Sequence, residues 1–222
     1  MLLARKRGGT IVNEILYRPS EATRAVAAAL AKITGAQPYP VPAETPDADF
    51  ARALAGPGVV LGVLDRADGP WEIVRRVAVP LVVVPPGTSG DYTLDRVLVP
   101  LDGTDEAAYA VSETVRLFAE AGIAVTVLHV FDENTAPAHW DQAAHARPAW
   151  EHEFRARFCH HLPETALTLR SGLPGEHIVD VAAEQADLIV LGWSRRLVPG
   201  RARIAREAVD TAAVPVLLIP VR

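Results

Sequence analysis

The chain has 222 residues, half of them hydrophobic and 22% charged, which excludes a disordered class and supplies apolar surface for one large core or two small ones. A formal net charge of -5 disfavours a general nucleic-acid role, and a single cysteine, Cys159, excludes an internal disulfide framework. No stretch approaches the roughly 20 apolar residues of a membrane span, and Met1–Arg7 lacks the apolar run of a signal peptide, so a soluble cytoplasmic protein without a membrane or nucleic-acid partner is expected.

In chain order, an opening strand precedes a helix that begins Ser20-Glu-Ala-Thr-Arg-Ala-Val26. Ala36 to Val41 reads as a strand, and a proline-rich turn then leads to a helix at Asp47 to Leu54. Gly58-Val-Val-Leu-Gly62 and Val77-Ala-Val-Pro-Leu-Val-Val-Val-Pro85 read as two further strands, the second preceded by a short helix with Arg75 and Arg76. Pro85-Pro-Gly-Thr-Ser-Gly-Asp91 is turn-rich and suits a linker.

Beyond it, Arg96-Val-Leu-Val-Pro-Leu-Asp102 is an apolar strand, and Gly103-Thr104 leads into a helix with Ala107, Ala110, Val111, Thr114, Val115 and Phe118 at helical spacing. Leu167 to Arg170 alternates like a strand. Ser171-Gly-Leu-Pro174 opens a helix with its proline at the first helical position, and Ile178, Val181 and Ala182 share one face of it. Ala186-Asp-Leu-Ile-Val-Leu-Gly192 has the continuous apolar run of a strand covered on both faces, expected to stop at Gly192 with a close backbone turn. Ala212-Ala-Val-Pro-Val-Leu-Leu-Ile-Pro220 closes the chain.

Several segments recur in the same order. Val77–Pro85 parallels Ala212–Pro220, Gly58–Gly62 parallels Leu188–Gly192, and Ser20–Val26 parallels Asp105–Val111. The pattern predicts two units, residues 1–90 and 91–222, the first with four strands and the second with five. Ala36–Val41 and Asp47–Leu54 match the third strand and third helix of the longer unit, so the unit missing from the first half is expected to be the second. The closing strands, around Leu81 to Val84 and Val216 to Ile219, are expected to pair about a pseudo-twofold axis, because exposed apolar edges associate.

From Arg96-Val-Leu-Val-Pro-Leu-Asp-Gly-Thr104 through Val127-Leu-His-Val130, Gly172-Leu-Pro-Gly-Glu-His-Ile178, Ala186–Gly192 and Val214-Pro-Val-Leu-Leu-Ile-Pro220, the second half resembles the universal stress protein family. The resemblance implies a Rossmann-like open parallel sheet, strand order 3-2-1-4-5, in two tandem units, with a reduced N-terminal copy acting as an internal pseudo-dimer partner; a further homodimer contact stays open. It also implies a stress-response regulator that in some members binds an adenine nucleotide such as ATP or AMP. The alternative is an interaction or dimerisation module of the same fold that binds no nucleotide.

In such a sheet a ligand settles where the strand order reverses, between the strands ending at Asp102 and Gly192. Asp102 resembles the family aspartate of the adenine or ribose region, with the backbone near His129 and Val130 lining the base; alternatively Asp102 is a turn or helix-capping aspartate before Thr104. Nucleotide-binding members carry Gly-x-x-Gly, nine residues, then Gly-Ser or Gly-Thr. Here Gly192-Trp-Ser-Arg195 lacks the second glycine, Ala202-Arg203 stands in place of the last pair, and Gly200 is the spare glycine. The candidate binding residues are therefore Asp102, Val130, Gly192, Ser194, Arg195, Gly200 and Arg203, with Arg196, Arg201 and Arg206 adding positive charge that suits phosphate. Trp193 reads as packing.

The histidines at 139, 145, 152, 160 and 161 lack metal-ligand spacing, so no metal is expected. Nor is there a Gly-x-Ser-x-Gly or Gly-Lys-Ser/Thr motif. A nucleotide hydrolase would require a water-activating base and a metal carboxylate that Asp102 alone does not supply, so a non-enzyme is expected. In the first half the equivalent of Asp102 falls near Tyr17 or Arg18, and no glycine-rich loop follows Gly62.

Overall fold

The computed structural model describes residues 13–131, 146–163, 165–194 and 201–221, with the backbone alone at 146, 147, 194, 201 and 202. The first half contains β1 (Glu14–Tyr17), α1 (Glu21–Thr34), β2 (Gln37–Pro40), α2 (Asp47–Leu54), β3 (Val59–Asp65), a 3-10 turn (Arg66–Asp68), α3 (Trp71–Val74) and β4 (Leu81–Val84). The second contains β5 (Arg96–Pro100), α4 (Asp105–Glu120), β6 (Ala124–Phe131), α5 (Ala146–Phe158), β7 (Ala166–Ser171), α6 (Pro174–Gln185), β8 (Leu188–Ser194), α7 (Arg201–Thr211) and β9 (Val216–Val221). Among the described residues, no helix is long and apolar enough to cross a membrane.

Local chemistry sets the helix ends. Ser20 and Thr23 form a reciprocal capping box at the start of α1, and Gly35, at φ 67, closes it. The hydroxyl of Thr104 accepts from the amide of Ala107 to begin α4, and Pro174 takes the first turn of α6. Each helix then buries one stripe, Val26, Ala27 and Leu30 on α1 and Ala108, Val111, Val115 and Phe118 on α4.

All nine strands join one sheet, in the order β2-β1-β3-β4-β9-β8-β5-β6-β7. Within residues 91–222 the strands are parallel and ordered β7-β6-β5-β8-β9, which is the expected 3-2-1-4-5. The closing strands meet antiparallel, with Leu81 opposite Leu218, Val82 opposite Leu217 and Val83 opposite Val216. Strand side chains alternate between two apolar layers, and each layer draws residues from both halves: Val82 and Leu217 face one, Leu81 and Leu218 the other. Each fully buried aliphatic side chain of this kind contributes roughly 1.5–3 kcal/mol of transfer free energy.

The first half departs from the expected assignment of its missing unit. β2 pairs directly with β1, Glu14 opposite Gln37, and so occupies the place that β6 has beside β5. Among the described residues, what is lacking is a counterpart of α5 and the outer strand β7. The physical reason is that a gap inside a sheet would strand a row of backbone donors and acceptors, so the strand that remains closes up against β1. β2 is exposed throughout. The amides of Gln37 and Val41 donate to Asn13 and Tyr17 of the β1 side, so Pro38 and Pro40 fall at the alternate positions, where no ladder bond is lost and the open edge is blunted.

The linker is tied to the second half at Asp187. Its carboxylate accepts from the amides of Asp95 and Arg96, at 3.1 and 2.9 Å, and from the Arg96 guanidinium at 2.8 Å; the Tyr92 hydroxyl donates to its carbonyl at 2.8 Å. Burial alone would raise the Asp187 carboxyl, but the Arg96 guanidinium and the two amides together hold it below the usual carboxylate range. Burial, helped by Asp187 and Asp95, pushes the Tyr92 phenol well above its ordinary range.

Candidate functional site

Because β5 and β8 are neighbours, with Val97 opposite Leu188, the chain leaves them toward opposite sides and opens a crevice beyond their carboxyl ends. A cavity of about 150 Å³ lies there, and Asp102, Val130 and Gly192 all line it. Its remaining wall includes His129, Ile178 from α6, and Ile204 and Ala205 from α7. A wider groove of about 740 Å³ between α1 and α4 is open to solvent, and none of the predicted site residues lines it.

The floor is rigid. His129, 5% exposed, holds the carbonyl of Leu101 through Nδ1 at 2.7 Å, and its ring lies 4.5 Å from Phe131 and 4.6 Å from Phe154, centroid to centroid. Gly103 turns the chain above it at φ 78, a left-handed conformation that favours glycine, and a Cβ there would come within 3.3 Å of the His129 ring. Asp102 makes the turn that capping predicts. One carboxylate oxygen accepts from the Thr104 amide at 3.1 Å and from the Thr104 hydroxyl at 2.6 Å. Capping and crevice lining thus coexist in one residue.

Gly192 differs from its expected role. β8 does not stop there but runs on to Ser194, because β9 continues alongside and pairs Gly192, Trp193 and Ser194 with Ile219, Pro220 and Val221. A Cβ at Gly192 would make ordinary contacts, at 3.4 Å from Val221 and 3.8 Å from Ala107. The backbone therefore does not demand glycine; its missing side chain keeps the crevice open.

The phosphate side is divided. Arg195, Arg196 and Gly200 lie outside the described residues, and Ser194 and Arg201 are described by backbone alone. Arg203 is exposed on the first turn of α7 and does not line the crevice. The guanidinium of Arg206 sits 5.3 Å from the ring of Trp71 in the first half. Sequence reasoning missed Ile204 and Ala205, apolar positions in a segment where arginines and glycines drew the attention. Trp193 is 3% exposed and packs, with no hydrogen-bond partner for its Nε1 among the described residues. Among the described residues no group of three histidine, cysteine or acidic side chains could hold a metal ion. The Cys159 thiol is buried and raised by that burial, which makes it a poor nucleophile.

At the matching point of the first half the described side chains crowd the ends of the strands. Arg18, which follows β1 as Asp102 follows β5, folds over the Phe50 ring at 5.2 Å, donates to Asp47 at 2.5 Å and to the Thr45 carbonyl at 3.2 Å, and lies 3.9 Å from Asp68. A Cβ on Gly62, which precedes the end of β3, would fall 2.5 Å from Leu81 and 2.7 Å from Leu54. This switch point is filled by the chain's own side chains.

The universal stress protein family model matches residues 93–220. A comparison with curated proteins returns no match. Among solved structures, a functionally unknown protein from Pseudomonas aeruginosa PAO1 is similar at 16% identity and TM-score 0.62, over 93% of this chain and 81% of that one. A universal stress protein from Archaeoglobus fulgidus DSM 4304 is similar at 17% identity and TM-score 0.56, over 87% of this chain and 73% of that one. Another from Archaeoglobus fulgidus, solved in complex with dAMP, aligns at 21% identity and TM-score 0.40 over 58% of this chain and 98% of that one.

Proposed function

This chain belongs to the universal stress protein family, and on that premise we propose that it is a cytoplasmic, non-catalytic stress-response regulator whose C-terminal crevice binds an adenine nucleotide weakly. The observation that carries the proposal is the convergence of Asp102, Val130 and Gly192 on one cavity over the His129 floor. At about 150 Å³ the cavity is smaller than the roughly 300–1,000 Å³ of sites that enclose a whole ligand, so it suits one ring system with the phosphates outside. Phosphates leaving it toward the β8–α7 connection would meet the amide end of α7, a favourable place for an anion. Without the second glycine the backbone cradle is incomplete, which is why weak binding is proposed.

The first half, in this reading, is a reduced copy that stands where a family dimer partner would, its own switch point filled by Arg18. A second reading, an interaction module without nucleotide, draws support from that same plug: the fold here closes one crevice with its own side chain. Equilibrium dialysis of the purified protein against ATP, with the nucleotide on each side quantified, separates the two. An excess on the protein side of about half an equivalent per chain at about 1 mM free ATP is the expected result, and no excess favours the interaction module.

A further inference from the structure

We infer that the first half acts on the C-terminal crevice through α7, with Arg66 and Trp71 as positioning residues for the crevice wall at Ile204 and Ala205. The inference rests on the crevice being the binding site. Its origin is the antiparallel pairing of β4 with β9. That pairing turns the carboxyl end of β3 toward the end of the second half where α7 finishes, the end opposite the crevice.

The turn after β3 is locally fixed. Asp65 accepts from the amide of Ala67 at 3.0 Å, the Asp68 carboxylate accepts from the Asp65 amide at 3.3 Å, and Gly69 closes the turn at φ 66. So held, Arg66 extends one guanidinium nitrogen to the carboxyl end of α7 and donates to the carbonyls of Val209 in its last turn, at 3.1 Å, and of Ala212 just beyond it, at 2.9 Å. These carbonyls have no partner within the helix, and α7 carries no basic residue in its own last turn. Arg66 thus supplies both the missing donors and the positive charge that the helix dipole favours at its carboxyl end.

Three further contacts reinforce the hold. The Trp71 indole donates to Asp210 at 3.3 Å, Arg206 lies over its ring, and the ring packs 5.6 Å from Trp193. Trp193 follows Gly192 directly, and its Nε1 has no hydrogen-bond partner among the described residues, so the contacts described for the indole are packing contacts. Two ends of the crevice wall, the strand at Gly192 and the helix at Ile204 and Ala205, therefore share one support from the other half. The clamped end and the crevice end belong to one helix of 11 residues, whose hydrogen bonds form cooperatively, and this is the route by which a change at one reaches the other.

The test is amide hydrogen exchange on the full chain, with ATP titrations run in parallel. Arg66→Ala is expected to speed exchange along the whole of α7, including Ile204 and Ala205, and at Trp193 by fivefold or more, and to weaken ATP binding at least threefold. Trp71→Phe, a milder change that removes the indole donor and shrinks the ring but keeps an aromatic side chain, is expected to do the same to a smaller extent, and it serves alone if Arg66→Ala does not fold. Arg52→Ala, which breaks an exposed pair on α2, is expected to change neither reading. Faster exchange confined to residues 209–212, with Ile204 and Ala205 unchanged, would overturn the inference and leave Arg66 a simple cap. If the unaltered protein takes up no ATP, the nucleotide reading fails, while the exchange data still decide the positioning role.

Discussion

Leu81 of β4 stands opposite Leu218 of β9 in a ladder that runs against every other strand pair described, and this pairing makes one sheet of two halves. Since both apolar layers cross the junction, the halves are expected to unfold together. Leu217→Ala, at a buried position within that ladder, is expected to cost about 2–4 kcal/mol in a single denaturant transition. Two separate transitions would show that the halves do not share a core.

Asp102 carries a turn and faces the crevice, and two substitutions separate these roles. Asp102→Asn keeps a side-chain oxygen for the Thr104 amide, so its stability is expected to stay within about 0.5 kcal/mol of the parent, whereas Asp102→Ala loses the turn at a cost of about 1 kcal/mol. Thermal unfolding measures both. Equal losses in the two variants would mean that the charge, and not the turn, holds this corner.

Gly103 is set at φ 78 against the His129 ring, so Gly103→Ala combines backbone strain with a tight contact. The expected loss is about 1–2 kcal/mol. Gly192→Ala, facing only ordinary contacts, is expected to fold normally while narrowing the crevice. Urea titration of the pair gives the comparison, and a larger loss at Gly192 than at Gly103 would contradict the geometry.

The linker tie at Asp187 predicts an acid-sensitive stability. Its carboxyl is held below the usual range in the folded chain, so the stabilisation is present above about pH 4 and is lost as the pH falls through the folded value. Asp187→Asn is expected to be about 1–2 kcal/mol less stable at pH 7 and to converge on the parent in acid. A constant difference from pH 7 to pH 2 would rule out ionisation as the cause.

Much of the sheet was legible because parallel strands buried on both faces are continuous apolar runs, as in Leu188 to Leu191, and because Asp102 and Gly192 end adjacent strands once the order is known. The strand at Gln37 to Pro40 was legible as a strand but not in its place, since its matching neighbours in sequence say nothing about which edge is free. The crevice wall at Ile204 and Ala205 carries no signal beyond helical apolarity. The plug at Arg18 depends on carboxylates at 47 and 68, and the clamp at Arg66 on carbonyls at 209 and 212, so both arise from the fold's closure and from no local motif.

Calorimetric titration of ATP into the full chain and into Ile204→Phe, a substitution that fills the crevice from α7, decides whether the crevice between Asp102 and Gly192 takes an adenine nucleotide. One site per chain is expected, with a Kd of roughly millimolar order, about 4 kcal/mol of binding free energy, and at least threefold weaker binding in the variant. No binding of ATP, ADP or AMP at several times that concentration, or equal binding by the two proteins, would contradict it.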